Sequence, residues 1–344
     1  MLISTIAIVF VFGLLVLVHE FGHFITAKKT GMRVDEFAIG FGPKIWSRQK
    51  GETVYSVRSI PLGGFNRIAG MEKDMDEDAG DRAYWARPVW ARMIVILAGS
   101  VMNFILPFLI FAGIFFFNGI QTPINEPVLG QVMEGQAASQ AGLKMGDKII
   151  SINGEPVDSW TNFVEKVQGE DGKVLSVEFI RDNETMTTSV VPKYDEQAKR
   201  ALIGVTEPVQ TQSVGFIDSI VLAFATVINI IYQMYSALVG MITGSVAAEL
   251  SGPVGVAQMT SQAAHLGIVP LLQFAALLSL NLGIINLLPI PALDGGHFVV
   301  LLVEALRGKP IEAKYVRVVQ MAGIILLLSL MFFATAQDLG RLFG

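Results

Sequence analysis

The chain has no cysteine in 344 residues. That excludes disulfides and thiolate metal sites, so any metal must be held by histidine, aspartate or glutamate. Histidine is scarce, with 4 in the chain, and charged residues make up only 16%. Lys and Arg total 25 against 30 Asp and Glu, a net charge of -5 that leaves no electrostatic footprint for nucleic acid. In place of charge the chain has apolar length. Hydrophobic residues make up 52%, the profile of a membrane protein.

The apolar runs predict a polytopic α-helical membrane protein with four transmembrane helices, in segments 1–30, 93–117, 266–303 and 316–337. No Lys or Arg precedes the first run, which reads as a retained helix rather than a signal peptide. Lys28, Lys29 and Arg33 follow it, and Arg82, Arg87 and Arg92 precede the second. The positive-inside rule places both sets on the cytoplasmic side and both termini outside. The basic loop 304–315 falls on the cytoplasmic side by the same rule. Segment 208–265 is apolar but interrupted by Asp218, Asn229 and Gln233, and reads as amphipathic helices on the outer face with a turn-rich connector.

The first span ends in His19-Glu20-Phe21-Gly22-His23. On a helix the two histidines stand one turn apart on one face and can share a zinc ion, with Glu20 placed as a general base. A catalytic zinc needs a third protein ligand. Asp294, in Asn286-Leu287-Leu288-Pro289-Ile290-Pro291-Ala292-Leu293-Asp294-Gly295, is the best candidate, because Pro289 and Pro291 break the helix and two glycines follow. Depth supports the choice: if the apolar stretch 213–244 does not cross, Asp294 returns to the level of the histidines. His297 competes as a ligand or as a supporting residue, and Asn286 is a candidate donor to the substrate backbone or oxyanion.

Two other regions depart from helix. Residues 31–92 form a cytoplasmic-side β-hairpin or re-entrant region with a loop. Within it Phe37, Ile39 and Phe41 alternate with small residues, and Gly40, Gly42, Gly63 and Gly64 punctuate the chain. Such a strand edge can pair with an extended peptide, which makes Phe41, Gly42, Gly63 and Gly64 candidate substrate-binding residues. Residues 118–207 turn polar, with strands expected at 127–133, 147–153, 174–181 and 185–191 and short helices at 137–141 and 160–167. The run Ala141-Gly142-Leu143-Lys144-Met145-Gly146-Asp147-Lys148-Ile149-Ile150-Ser151-Ile152-Asn153-Gly154 resembles the central signature of a PDZ domain, an inserted α+β module, with 128–132 as its peptide-binding segment.

Taken in order, these motifs resemble the site-2 proteases (peptidase family M50), in the branch of the bacterial regulator-of-sigma-E proteases, with a single PDZ domain. The resemblance runs along essentially the whole chain. It implies one catalytic zinc ion on His19, His23 and Asp294 with Glu20 catalytic. It implies a multi-pass protein of the bacterial inner (cytoplasmic) membrane, with the PDZ domain extracytoplasmic and the active site near the cytoplasmic face. Its substrates would be single-span membrane proteins: anti-sigma factors first cut by an upstream site-1 protease, or remnant signal peptides. The alternative is a non-catalytic PDZ-bearing membrane adaptor whose zinc is structural and has a fourth ligand, such as His297.

Overall fold

The computed structural model describes residues 2–71, 77–196, 198–245 and 251–343 and divides into two units, Met1–Ile114 with Phe216–Gly344, and Phe115–Gly215. Residues 72–76 of the acidic run 72–81 lie outside the described residues.

The first unit begins with α1 (Leu2–Lys29), an apolar helix without proline that closes on Lys28 and Lys29. Gly31, at φ 79°, takes the left-handed position after it, and the Met32 N–H returns to the Ala27 carbonyl at 2.9 Å. Strands β1 (Val34–Lys50) and β2 (Thr53–Ile68) follow. Their register pairs Ile39 with both Val57 and Gly64, and Lys50 with Thr53. The first half of β1 therefore lies between two halves of β2, and the segments 44–50 and 63–68 are outermost. Helix α2 (Val89–Asn118) starts after Pro88 and carries Pro107 inside. Where α1 ends and α2 begins, the strands join them in a buried cluster of Ala27, Met32, Val34, Ile68, Ala91 and Val95.

The second unit opens with β3 (Ile120–Pro123), α3 (Ala137–Gln140), β4 (Lys148–Ile152), β5 (Glu155–Pro156) and α4 (Trp160–Gln168). It continues with β6 (Leu175–Arg181), β7 (Glu184–Val190), β8 (Lys193–Asp195), β9 (Arg200–Leu202) and β10 (Val209–Gln212). The main sheet has the order β5-β4-β6-β7, β8 pairs with β9, and β10 closes the unit on β3. Leu129, Ile149, Phe163, Val177 and Phe179 fill its core. The strand expected at 127–133 is reduced to two isolated bridges, Val128 to Lys148 and Val132 to Val205. Nor does 128–132 line the unit's cleft. The Leu129 N–H is bound to Asp147 O and the Gly130 N–H to Thr206 O, so this backbone has little left to offer a peptide. The cleft, about 770 Å³, lies instead between α4 and residues 200–207.

The first unit resumes with α5 (Phe216–Thr243), α6 (Pro253–Leu266), α7 (Ile268–Leu287), α8 (Asp294–Arg307) and α9 (Ala313–Phe343). The single segment expected over 266–303 is thus two helices, because Pro289 and Pro291 stop α7 and Ala292, at φ 76°, turns the chain. Gly295 and Gly296 let the first turn of α8 press on the carbonyls of Leu288 and Ile290, where a Cβ would collide. Among the described residues five helices are long and apolar enough to cross a membrane, against the four expected; the additional one is Phe216–Met241 in α5. Their outward faces carry Ile6, Phe10, Leu109, Phe224, Leu326 and Phe332 exposed, a surface suited to lipid rather than water.

Candidate metal and catalytic site

Four elements of the first unit build the site. In α1, His19 and His23 project from one face as their spacing requires. Their Nε2 atoms lie 3.2 Å apart, and Asp294 Oδ2 stands 3.4 Å from His19 Nε2 and 3.6 Å from His23 Nε2. Asp294 opens α8, so its carboxylate sits at the positive end of that helix. Helix α2 supplies the floor: Gly99 passes so close to both imidazoles that a Cβ there would strike His23 and His19. A cradle of this kind accepts only glycine. Ser100 donates to Asp294 Oδ2 at 3.4 Å.

The donor set fits zinc. Ligands at roughly 2.0–2.1 Å in a tetrahedron stand about 3.3 Å from one another, and the three observed separations bracket that value. A ligating imidazole needs a bare Nε2, hence a proton on Nδ1 and an acceptor for it. His23 Nδ1 lies 2.7 Å from the Val95 carbonyl, which accepts that proton. His19 Nδ1 faces the side-chain amide of Asn103 at 3.1 Å. Asn103 is fully buried and its Oδ1 has no partner among the described residues. Turned about its last torsion, the amide brings that oxygen to the Nδ1–H and leaves Nε2 free for the metal. Asn103, in the body of α2, therefore falls at the site.

Glu20 stands next to this cluster, near enough to His23 and Asp294 to feel both electrostatically. Its carboxylate Oε2 accepts from Asn66 Nδ2 at 2.7 Å, and its backbone carbonyl accepts from the same nitrogen at 2.5 Å. Asn66 carried no signal of its own in the sequence; only the register of β2 brings it here.

The candidate substrate residues divide. Gly64 lies against Val16 and Glu20 of α1, beside the base, while Gly63, at φ 112°, has the Phe41 ring packed over it. Phe41 stacks on Phe65, with ring centroids 6.3 Å apart. Gly42 lies farther along and accepts Arg58 Nη1 at 2.8 Å. Asn286 is buried in the last turn of α7, and among the described residues no hydrogen bond joins it to the cluster. His297 turns to Gln320 of α9, 3.4 Å away, and is absent from the three-residue ligand group found among the described residues. The closed four-ligand site that a purely structural zinc requires is therefore not formed by His297. His265 lies at the far end of α1, 3.4 Å from Ser4 Oγ.

The family model for peptidase family M50 matches residues 7–330. The chain is 35% identical to the regulator of sigma-W protease RasP of Bacillus subtilis, across 99% of both chains. It is also 35% identical to the zinc metalloprotease RasP of Bacillus licheniformis, again across 99% of both. Among solved structures it is similar to the PDZ domain of an SdrC-like protein from Listeria monocytogenes, at 17% identity and a TM-score of 0.22, covering 26% of this chain and 93% of that one. With the family matched over nearly its whole length and a donor set that fits zinc, the chain belongs to peptidase family M50 and is a zinc metalloprotease.

Proposed function

We propose that the enzyme hydrolyses peptide bonds in or near the membrane-spanning segment of single-span proteins, with one zinc ion held by His19, His23 and Asp294 and Glu20 as general base. The observation that carries this reading is the convergence of two Nε2 atoms and one carboxylate oxygen beside Glu20, with both histidines inside the apolar helix α1. Bound there, zinc supplies a Lewis acid that polarises a carbonyl and acidifies water. Glu20 takes the proton of the attacking water and passes it to the leaving amine. Ser100 and Asn103 hold the ligand side chains in place.

A substrate helix hides its carbonyls in its own hydrogen bonds and must open before cleavage. The outer segment 63–68, beside Glu20, offers backbone groups to an opened chain by strand addition. Phe41, Gly42, Gly63 and Gly64 shape this approach, and Asn286 approaches from α7.

The Bacillus subtilis relative is named for regulation of sigma-W. An anti-sigma factor already trimmed by a site-1 protease is the corresponding substrate class here. Lys28, Lys29 and Arg33 beside the site favour a cytoplasmic-membrane protein with its chemistry near the cytoplasmic face and residues 118–207 outside. The cleft between α4 and 200–207 is suited to an extended chain end.

Co-expression with single-span substrates, read by product mass, tests the reading. Glu20→Gln is expected to retain zinc and yield no product. Cleavage at the wild-type rate by that variant would remove Glu20 from the mechanism.

A further inference from the structure

The amide of Asn66 has two partners, and both belong to Glu20. One nitrogen, Nδ2, donates to the Glu20 carboxylate at 2.7 Å and to the Glu20 carbonyl at 2.5 Å. The oxygen, Oδ1, is buried without a partner among the described residues. An orphaned buried acceptor costs stability, and an apolar side chain of the same size would avoid that cost. Among the described residues, Glu20 alone fixes the orientation of this amide.

The backbone explains how the amide reaches its target. Asn66 pairs with Phe37 in the register of the sheet, so its position is set by β1. Residues 64 and 66 face the same side of the strand. At 64 that side is pressed onto α1, against Val16 and Glu20, where glycine alone fits beneath the Ala38 carbonyl. Two residues on, the strand is still close enough to α1 for a short amide to touch the carboxylate. Phe65, on the other side, stacks on Phe41. The segment 63–68 thus touches the general base through Gly64 and Asn66 and presents an outer edge through its backbone.

We propose that Asn66 is a positioning residue for the reaction: it fixes the Glu20 carboxylate through Nδ2, and it does so from the strand that receives the unwound substrate. The inference rests on Glu20 as the base. A carboxylate on three rotatable bonds samples several rotamers, and a donor on a rigid strand selects one of them. Disturbance of the strand by substrate is then transmitted to the base through a single hydrogen bond.

Purified full-length protein in detergent, assayed on a single-span substrate with zinc content measured alongside, tests this. Asn66→Asp is nearly isosteric but lacks the donor; Asn66→Ala lacks the whole amide. Both are expected to bind one zinc per chain as the wild type does, to keep KM within about threefold, and to lower kcat by roughly tenfold or more. A role in packing alone would leave Asn66→Asp active and impair only Asn66→Ala. Wild-type kcat in Asn66→Asp, with Glu20→Gln inactive in the same assay, overturns the proposal while leaving the base intact. Cleavage by Glu20→Gln overturns both.

Discussion

A histidine that gives Nε2 to a metal must park its proton on Nδ1, and that proton needs an acceptor. His23 uses a backbone carbonyl, which no substitution removes, whereas His19 Nδ1 also faces the side chain of Asn103. Asn103→Leu conserves volume and removes the acceptor. It is expected to weaken zinc binding by roughly 10–100-fold, measured by competition with a chromophoric chelator, with helix content unchanged. At this scale the sequence was legible where chemistry repeats along one helix. His19, Glu20 and His23 are recognisable because a single element sets their geometry. Asp294 was reachable because two prolines and two glycines mark a break in an apolar run. Asn66 and Asn103 were not assigned, since each owes its role to where a different element is packed.

Among the elements, α5 has the length and hydropathy of a span. Its neighbour α6 constrains it. The Asp338 carboxylate, near the end of α9, accepts from the Gly252 N–H at 3.1 Å and the Gly255 N–H at 2.7 Å, capping α6. Farther along α6, Ser261 donates to Ser4 at the start of α1 at 2.7 Å. Helix α6 therefore lies where α1 begins and α9 ends, about 22 Å along α1 from His19 at 1.5 Å per residue. From Thr243 to Gly252 the chain reaches at most about 30 Å. A full crossing by α5 would oblige that linker to return almost fully extended through hydrocarbon with unpaired backbone. We expect cysteines introduced at the end of α5, at Met241 and Thr243, to react with an impermeant thiol reagent added from outside; labelling only from the cytoplasmic side would make α5 a span. The cap itself is testable, since Asp338→Ala leaves the buried Gly252 N–H and the part-buried Gly255 N–H unmet and should cost about 1–3 kcal/mol of stability. The turn-rich connector was legible in the sequence, but the partner of Gly252, 86 residues later, was not.

The hairpin is tied to the helices by charge at its turn. Glu52 accepts from Arg82 at 2.6 Å and from Lys28 at 2.6 Å, and those cations pull its pKa from 4.5 down to about 2. A carboxylate stabilised in the folded state contributes fully above its unfolded pKa and loses that contribution as pH falls through the folded one. The attachment of the β1–β2 turn should therefore weaken between about pH 4.5 and 2, and Glu52→Gln should flatten that window. Proteolysis of the turn at stepped pH reads it directly.

For the whole molecule, the metal would join the first helix of the chain to the eighth. His23 and Asp294 are separated by nearly the full sequence, including all of the second unit, yet their side chains meet. Membrane depth explains why this was predictable: each crossing returns the chain to one of two faces, so counting crossings narrows where a distant residue can be. It does not give the packing of α8 on α2, which rests on a nearly buried Arg92–Glu304 pair at 2.5 Å that sequence spacing cannot reveal. An ion bound only by the folded arrangement stabilises it by about RT ln(1 + [Zn]/Kd), roughly 4 kcal/mol at a thousandfold excess over Kd. Chelation should therefore lower the midpoint of thermal unfolding in detergent as well as abolish cleavage, and zinc should restore both. The loss should be confined to contacts between α1, α2 and α8, with residues 115–215 protected to the same extent throughout, since their core of Leu129, Phe163 and Phe179 owes nothing to the metal. Hydrogen exchange on the zinc-loaded and chelated protein separates these outcomes. Equal loosening of both units would mean that chelation unfolds the protein as a whole rather than releasing one clasp.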